Sequence, residues 1–419
     1  MNKKIDPLSE QSPSHPLSAD FYGLVVYLFL IFFAPQERYE WLTYFRPAFS
    51  TAIITAIFCI MRRPANNKRS ARRNPLQGIF LILLCSSMFF TNLSSPFSSN
   101  VFPPLLIDFI KLVILYFLIF NVVKTEYALA TLVKVILIFS SFIVIYSLLA
   151  YKFHWGDIYF RMVSPFGGMG SNSNGYAMFL LGLLSFFIIF FLKKAPLTRK
   201  IFLALVVLAT LLCIIKTRSR MGFLGVIFQF CIVGWENKKN IIIVIVIGLM
   251  LSIAAFRAHE NFWERIATID EVNGQIDSSS AARQNKWRQA VVIMKKHPFV
   301  GVGLSNFRTA VKRYGLGESE HIVHNAYLEI GAESGVISMV LFVVCIVYTI
   351  LMNRFAMKHY STTGNEKMYS IAGALYASVF SIGFCLIFLS EQFNSMLFVL
   401  LGLSGVLLRL TPRSKPAVR

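Results

Sequence analysis

Apolar runs of roughly 15 to 24 residues, parted by short polar breaks, recur along almost the whole of a 419-residue chain. Runs of that length cross a hydrocarbon core of about 30 Å as helices, which satisfy their own backbone groups where water cannot. A chain with 56% hydrophobic residues, 40 Phe and 15% charged residues is not a soluble protein. The candidate spans are residues 21–35, 47–61, 76–92, 101–123, 127–150, 175–192, 200–215, 221–235, 240–256, 332–352, 369–390 and 394–410. The expected fold is all-α: a polytopic membrane protein of about twelve transmembrane helices with one large loop.

That loop, residues 257–323, is the only long hydrophilic interval. It divides the chain into 1–256 with nine spans, the loop itself, and 324–419 with three spans and a tail. Lysine and arginine in short loops set the orientation. Arg62, Arg63, Lys68, Arg69, Arg72 and Arg73 between spans two and three mark the cytoplasmic side, and Lys193, Lys194, Lys238, Lys239, Arg354, Lys358 and Arg413 fall on the same side when twelve spans are threaded. The long loop then faces outward, which in a bacterium is the periplasm or the cell exterior. The net charge of +21 is largely this positive-inside bias, so nucleic acid is not an expected partner; the lipid bilayer is. The six cysteines all lie in apolar spans and imply neither a disulfide framework nor a zinc site.

Metal-assisted transfer needs converging carboxylates, and no two Asp are spaced Asp-x-Asp. Asp270, Glu271 and Asp277 read as a solvated loop, so no metal or cofactor is expected. Asp108 and Lys111, three apart on one face of the fourth span, form an ion pair or a substrate contact. In the long loop, Arg283, Trp287, Ala290, Val291 and Met294 recur at helical spacing until His297-Pro298. Arg283 and Trp287 share the inward face of this amphipathic helix; Arg283 is either an anion ligand or a side chain snorkelling to headgroups. Gly301-Val302-Gly303 reads as a tight turn into a second short helix, ended by Gly315 and Gly317. His321, His324 and Asn325 close the loop, and a histidine at that outer mouth can serve as a base near neutral pH. Glu329 and Glu333 follow, and Gly331 and Gly335 would let a neighbouring helix approach. Between spans seven and eight, Ser219 can cap a helix whose first turn carries Arg220, where free N–H groups favour an anion. Arg218 and Arg220 run against the charge bias of the outer side.

Thr217-x-Ser219-Arg220, Ala282-Arg283-x-x-x-Trp287, His297-Pro298-x-x-Gly301-x-Gly303-x-x-Asn306-Phe307 and His324-Asn325 with Gly335 nine residues on resemble the motifs of the bacterial O-antigen ligase and polymerase family of membrane glycosyltransferases. Residues 170–175, ending in Asn174-Gly175, are similar to that family's Asn-containing turn. In the ligases a second glycine is expected where Ser338 stands. The resemblance implies metal-independent transfer of a glycan from an undecaprenyl-pyrophosphate carrier to an acceptor sugar hydroxyl, on lipid A-core for a ligase or on another lipid-linked glycan for a polymerase of O-antigen or exopolysaccharide. Arg220 and Arg283 would neutralise the departing pyrophosphate and His324 would deprotonate the acceptor, with Arg218, Asn174, Asn325, His321 and Trp287 as further substrate contacts. A polysaccharide transporter is the alternative from another class, but no repeated halves support it.

Overall fold

The computed structural model describes residues 17–62, 76–95, 97, 103–151, 161–170, 172–236, 278–317 and 322–412. Every regular element among the described residues is a helix: α1 (Ala19–Phe33), α2 (Pro35–Arg38), α3 (Glu40–Phe45), α4 (Pro47–Met61), α5 (Leu76–Ser94), α6 (Pro104–Val122), α7 (Glu126–Tyr151), α8 (Ser173–Leu192), α9 (Leu197–Thr217) and α10 (Arg220–Glu236) come first. The long loop holds α11 (Ser278–Lys296) and α12 (Phe307–Arg313), and the chain ends with α13 (Ala326–Thr362), α14 (Glu366–Cys385) and α15 (Ser395–Leu410). Nine helical stretches among the described residues are long and apolar enough to cross a membrane, and α15 is a shorter apolar helix. The chain is therefore an all-α, multi-pass membrane protein, as the apolar runs require. The expected span at 240–256, the acidic stretch 270–277 and His321 lie outside the described residues.

α8 and α14 form the centre, with 83% of each apolar window buried. Small residues let them approach closely: Ser185 Oγ lies 2.5 Å from Ser378 Oγ and donates to Ala374 O at 3.1 Å, while Ser378 Oγ donates to Gly182 O at 2.8 Å. At the rim, the apolar stretch Glu40–Met61 formed by α3 and α4 is only 17% buried, and Ile54, Ile57 and Ile60 of α4 are exposed. Apolar side chains on that face are what a lipid solvent selects. Asp108 and Lys111 do pair, at 2.8 Å, on an exposed face of α6.

The tenth span departs from the sequence reading. Its helix starts at Ala326, six residues before the expected position, because the Asn325 side chain caps it by accepting from Tyr327 N and Leu328 N, each at 3.0 Å. It then breaks at Gly335 (φ 83, ψ 162). Gly335 does not receive a neighbouring helix. The Pro298–Gly303 segment docks into the break: Val302 N donates to Ala332 O (3.0 Å), Gly303 N to Glu333 O (2.8 Å) and Val336 N to Pro298 O (2.8 Å). These bonds replace those that the broken helix cannot make for itself. The Gly301-Val302-Gly303 turn is thus more than a joint between α11 and α12. Ser95 Oγ and Asn92 Oδ1 of the α5 end bind Val302 O and Leu304 N, at 2.5 and 3.2 Å. Below the break, Ser338 Oγ lies 2.7 Å from Ser87 Oγ and ties α13 to α5, a bond that a glycine there could not make.

A Cβ on Gly335 would lie 2.2 Å from Phe299 O, in a backbone region that other residues rarely occupy. Gly335→Ala should therefore cost at least about 2 kcal/mol, seen as a lower unfolding temperature in detergent. Gly331→Ala meets only the flexible ends of the Met294 and Met339 side chains and should cost clearly less.

Candidate active site

The site is organised by the turn between α14 and α15, residues 386–394. Ala326 N, at the start of α13, donates to Leu386 O (2.9 Å) and Leu389 O (3.0 Å), so the His-Asn pair is pinned to this turn. His324 N donates to Ser390 Oγ at 3.0 Å. The Trp287 ring lies 5.9 Å from Phe388, which brings α11 to the same place. Asn394 Nδ2 donates to Gly175 O at 3.3 Å, bringing in the first turn of α8. Three of the sequence motifs thus meet on one short segment that the sequence had presented as a plain connection.

The fourth joins through Arg161. Its Nε donates to Thr217 O (3.1 Å) at the end of α9, and its Nη2 donates to Asn174 Oδ1 (3.3 Å) at the start of α8. Thr217 and Ser219 shape the connection: Ser219 N donates to Thr217 Oγ1 (3.2 Å) and Gly222 N to Ser219 Oγ (3.2 Å), the cap that the sequence predicts for α10. Arg218 is left-handed (φ 54) at the end of α9, and Arg220 opens α10 with an exposed side chain. Desolvation first, and then the Arg218 charge, push the Arg161 guanidinium below its ordinary value. A second set of cations comes from the loop helices. Arg283 is half-buried on the inner face of α11, one turn before Lys286, whereas Arg288, Lys295 and Lys296 are exposed. Lys286 is lowered by desolvation and by the charges of Arg283 and Arg308. Like charges gathered so closely are relieved by an anion.

Carboxylates interleave with these cations. Glu329 accepts from Val323 N (3.2 Å), Gln392 Nε2 (3.0 Å) and the Ser390 hydroxyl. Glu333 accepts from Phe307 N at 3.3 Å and so caps α12, which Asn306 does not. Glu391 is raised by burial first, against hydrogen bonds from Asn172 and Asn394, and further by Glu329. Asn172 Oδ1 caps α8 by accepting from Gly175 N at 2.7 Å. Among the described residues no group of three His, Cys, Asp or Glu could hold a metal ion.

His324 is half-buried and left-handed (φ 58). The Asn325 side-chain oxygen is engaged by the cap of α13. The Trp287 indole Nε1 is buried without a hydrogen-bond partner among the described residues. His297, by contrast, is structural: its Nε2 lies 2.5 Å from Tyr314 OH, and its ring packs on Phe97.

A family model described as O-antigen ligase matches residues 205–343. Over this segment the chain is similar to the O-antigen ligase family. The segment holds the α9–α10 connection, α11, α12 and the first half of α13, and so contains Arg218, Arg220, Arg283, Trp287, Arg308, His324 and Asn325. No curated protein matches the chain. Arg161, Asn174, Ser390, Glu391 and Gln392 join this cluster from outside the matched segment. Sequence reasoning missed Arg161, Lys286, Arg308, Glu391, Ser390 and Gln392. Arg161 carried a usable signal, since it defies the charge bias of the side expected to face outward, as Arg218 and Arg220 do. Lys286 carried another, standing three residues from Arg283 on the same helix.

Proposed function

We propose that the protein transfers a glycan from an undecaprenyl-pyrophosphate carrier to an acceptor sugar hydroxyl at the periplasmic face of the bacterial inner membrane, most directly to lipid A-core. The observation that carries this reading is the gathering of Arg161, Arg218, Lys286, Asn174 and His324 around the 386–394 turn, within and beside the ligase-family segment. Pyrophosphate is a good leaving group, so the enzyme has two tasks. Arg220, Arg283 and their neighbours neutralise the charge that grows on the departing diphosphate. His324 takes the proton of the acceptor hydroxyl as that oxygen attacks the anomeric carbon. Direct displacement inverts the anomeric centre. Fixed cations do here what a divalent ion does elsewhere, so transfer needs no metal.

The purified protein, given a lipid-pyrophosphate-linked glycan and lipid A-core in excess EDTA, should cap the core. Chain growth on a second lipid-linked glycan in place of capping would establish the polymerase reading. Loss of turnover that magnesium restores would refute metal independence.

The orientation has its own test. In a Cys231→Ser background, Lys312→Cys on α12 should react with an impermeant thiol reagent in intact spheroplasts, and Thr362→Cys at the end of α13 only after permeabilisation. The opposite pattern would turn the proposed site to the cytoplasm.

A further inference from the structure

Two successive backbone N–H groups end on the same carboxylate. Val323 N donates directly to Glu329 Oε2 at 3.2 Å. His324 N donates to Ser390 Oγ at 3.0 Å, and the Ser390 hydroxyl donates to the same Oε2. Gln392 Nε2 holds the other oxygen, Oε1, at 3.0 Å. Glu329 is itself buried, 7% exposed, one turn into the capped helix. What it holds is strained: His324 has φ 58, and a non-glycine residue keeps that conformation only where its surroundings over-determine it.

We propose that Glu329, acting through Ser390, is the positioning residue that holds the His324 backbone in its left-handed turn and so aims the imidazole at the acceptor hydroxyl. The proposal rests on the reading of His324 as the base. Glu329 itself takes no proton from substrate, because both its oxygens are engaged by donors of the protein. The role is one of geometry, not of charge, and this is a chemical distinction that can be read out. Gln392 Oε1 is buried without a hydrogen-bond partner among the described residues. Turning the Gln392 amide over would offer that oxygen to the NH₂ group that Glu329→Gln introduces, while the new carbonyl keeps Val323 N–H and the Ser390 hydroxyl. Glu329→Ala has no such remedy.

The test is steady-state transfer by the full-length protein with a lipid-pyrophosphate-linked glycan and lipid A-core, resolving kcat from donor KM. Ser390→Ala removes the acceptor of His324 N–H and should lower kcat by about tenfold, with donor KM unchanged. Glu329→Ala should lower it at least as far, and Glu329→Gln should recover most of that loss. In a His324→Ala background, Ser390→Ala should cause no further fall, because it acts through the histidine that is gone. Equal losses in both backgrounds would reduce Ser390 and Glu329 to general structural residues and overturn the proposal. So would Glu329→Gln protein as inactive as His324→Ala, which would make the carboxylate the base. Should Glu329→Ala fail to fold, the Ser390→Ala cycle still decides. A defective His324→Ala with wild-type Ser390→Ala defeats the positioning role alone, whereas wild-type transfer by His324→Ala defeats the base assignment beneath it.

Discussion

His324→Ala should lower the transfer rate by about 10²–10⁴ while leaving donor binding almost intact, the range for a lost general base. The separation of the two effects follows from where His324 sits. Its backbone is anchored to Ser390 in the α14–α15 turn, and the cations proposed to answer the diphosphate belong to other segments: the α9–α10 connection, Arg161 and the inner face of α11. Truncating the imidazole therefore removes proton transfer without uncovering the phosphate charges. Donor affinity can be followed by isotope-labelled lipid retained on the purified variant, and rate by capped product. Wild-type transfer by a properly inserted variant would move the base elsewhere.

The arginines should show the complementary pattern. Arg220→Ala and Arg283→Ala each remove charge-assisted bonds worth about 1.5–3 kcal/mol, or roughly 10- to 150-fold in kcat/KM for the lipid-linked donor. Lysine at either position should rescue only in part, since an ammonium lacks the bidentate fork that fits a phosphate. Because Lys286 feels Arg283 and Arg308 together, Arg283→Ala also relieves the charge crowding on Lys286. Its loss should therefore be partly offset. Equal donor KM for the wild type and both alanine variants would exclude the two arginines from donor recognition.

The fold was legible because length and apolarity leave a buried helix few alternatives in lipid. The site was legible only segment by segment. Ser219 announces a cap, Arg220 a helix start, and Arg283 with Trp287 one face of a helix, all within a few residues of chain. The bond between His324 and Ser390 spans 66 residues, and that between Arg161 and Thr217 spans 56. No local period encodes such contacts, so Ser390, Gln392 and Glu391 looked like an ordinary outer connection. Glu329 and Glu333 were visible in the sequence, but the break at Gly335 that sets their half of α13 apart was not. A glycine in a span reads equally well as a place for close packing. Asn325 shows the same limit from the other side: a polar residue beside a histidine invites a substrate role, and only the position of the helix start reveals its cap.

The docking of Pro298–Gly303 into the break of α13 has a consequence for protein engineering. Were the outer loop of a relative grafted onto these spans with its boundary at residue 323, Ala332 O, Glu333 O and Val336 N would have to find new partners in a strange backbone. Each of these groups left unpaired inside the protein would cost about 1–3 kcal/mol, enough together to undo a membrane protein of ordinary stability. The exchangeable unit is the stretch from His297 through Val336, and chimeras meant to alter acceptor choice should move it whole.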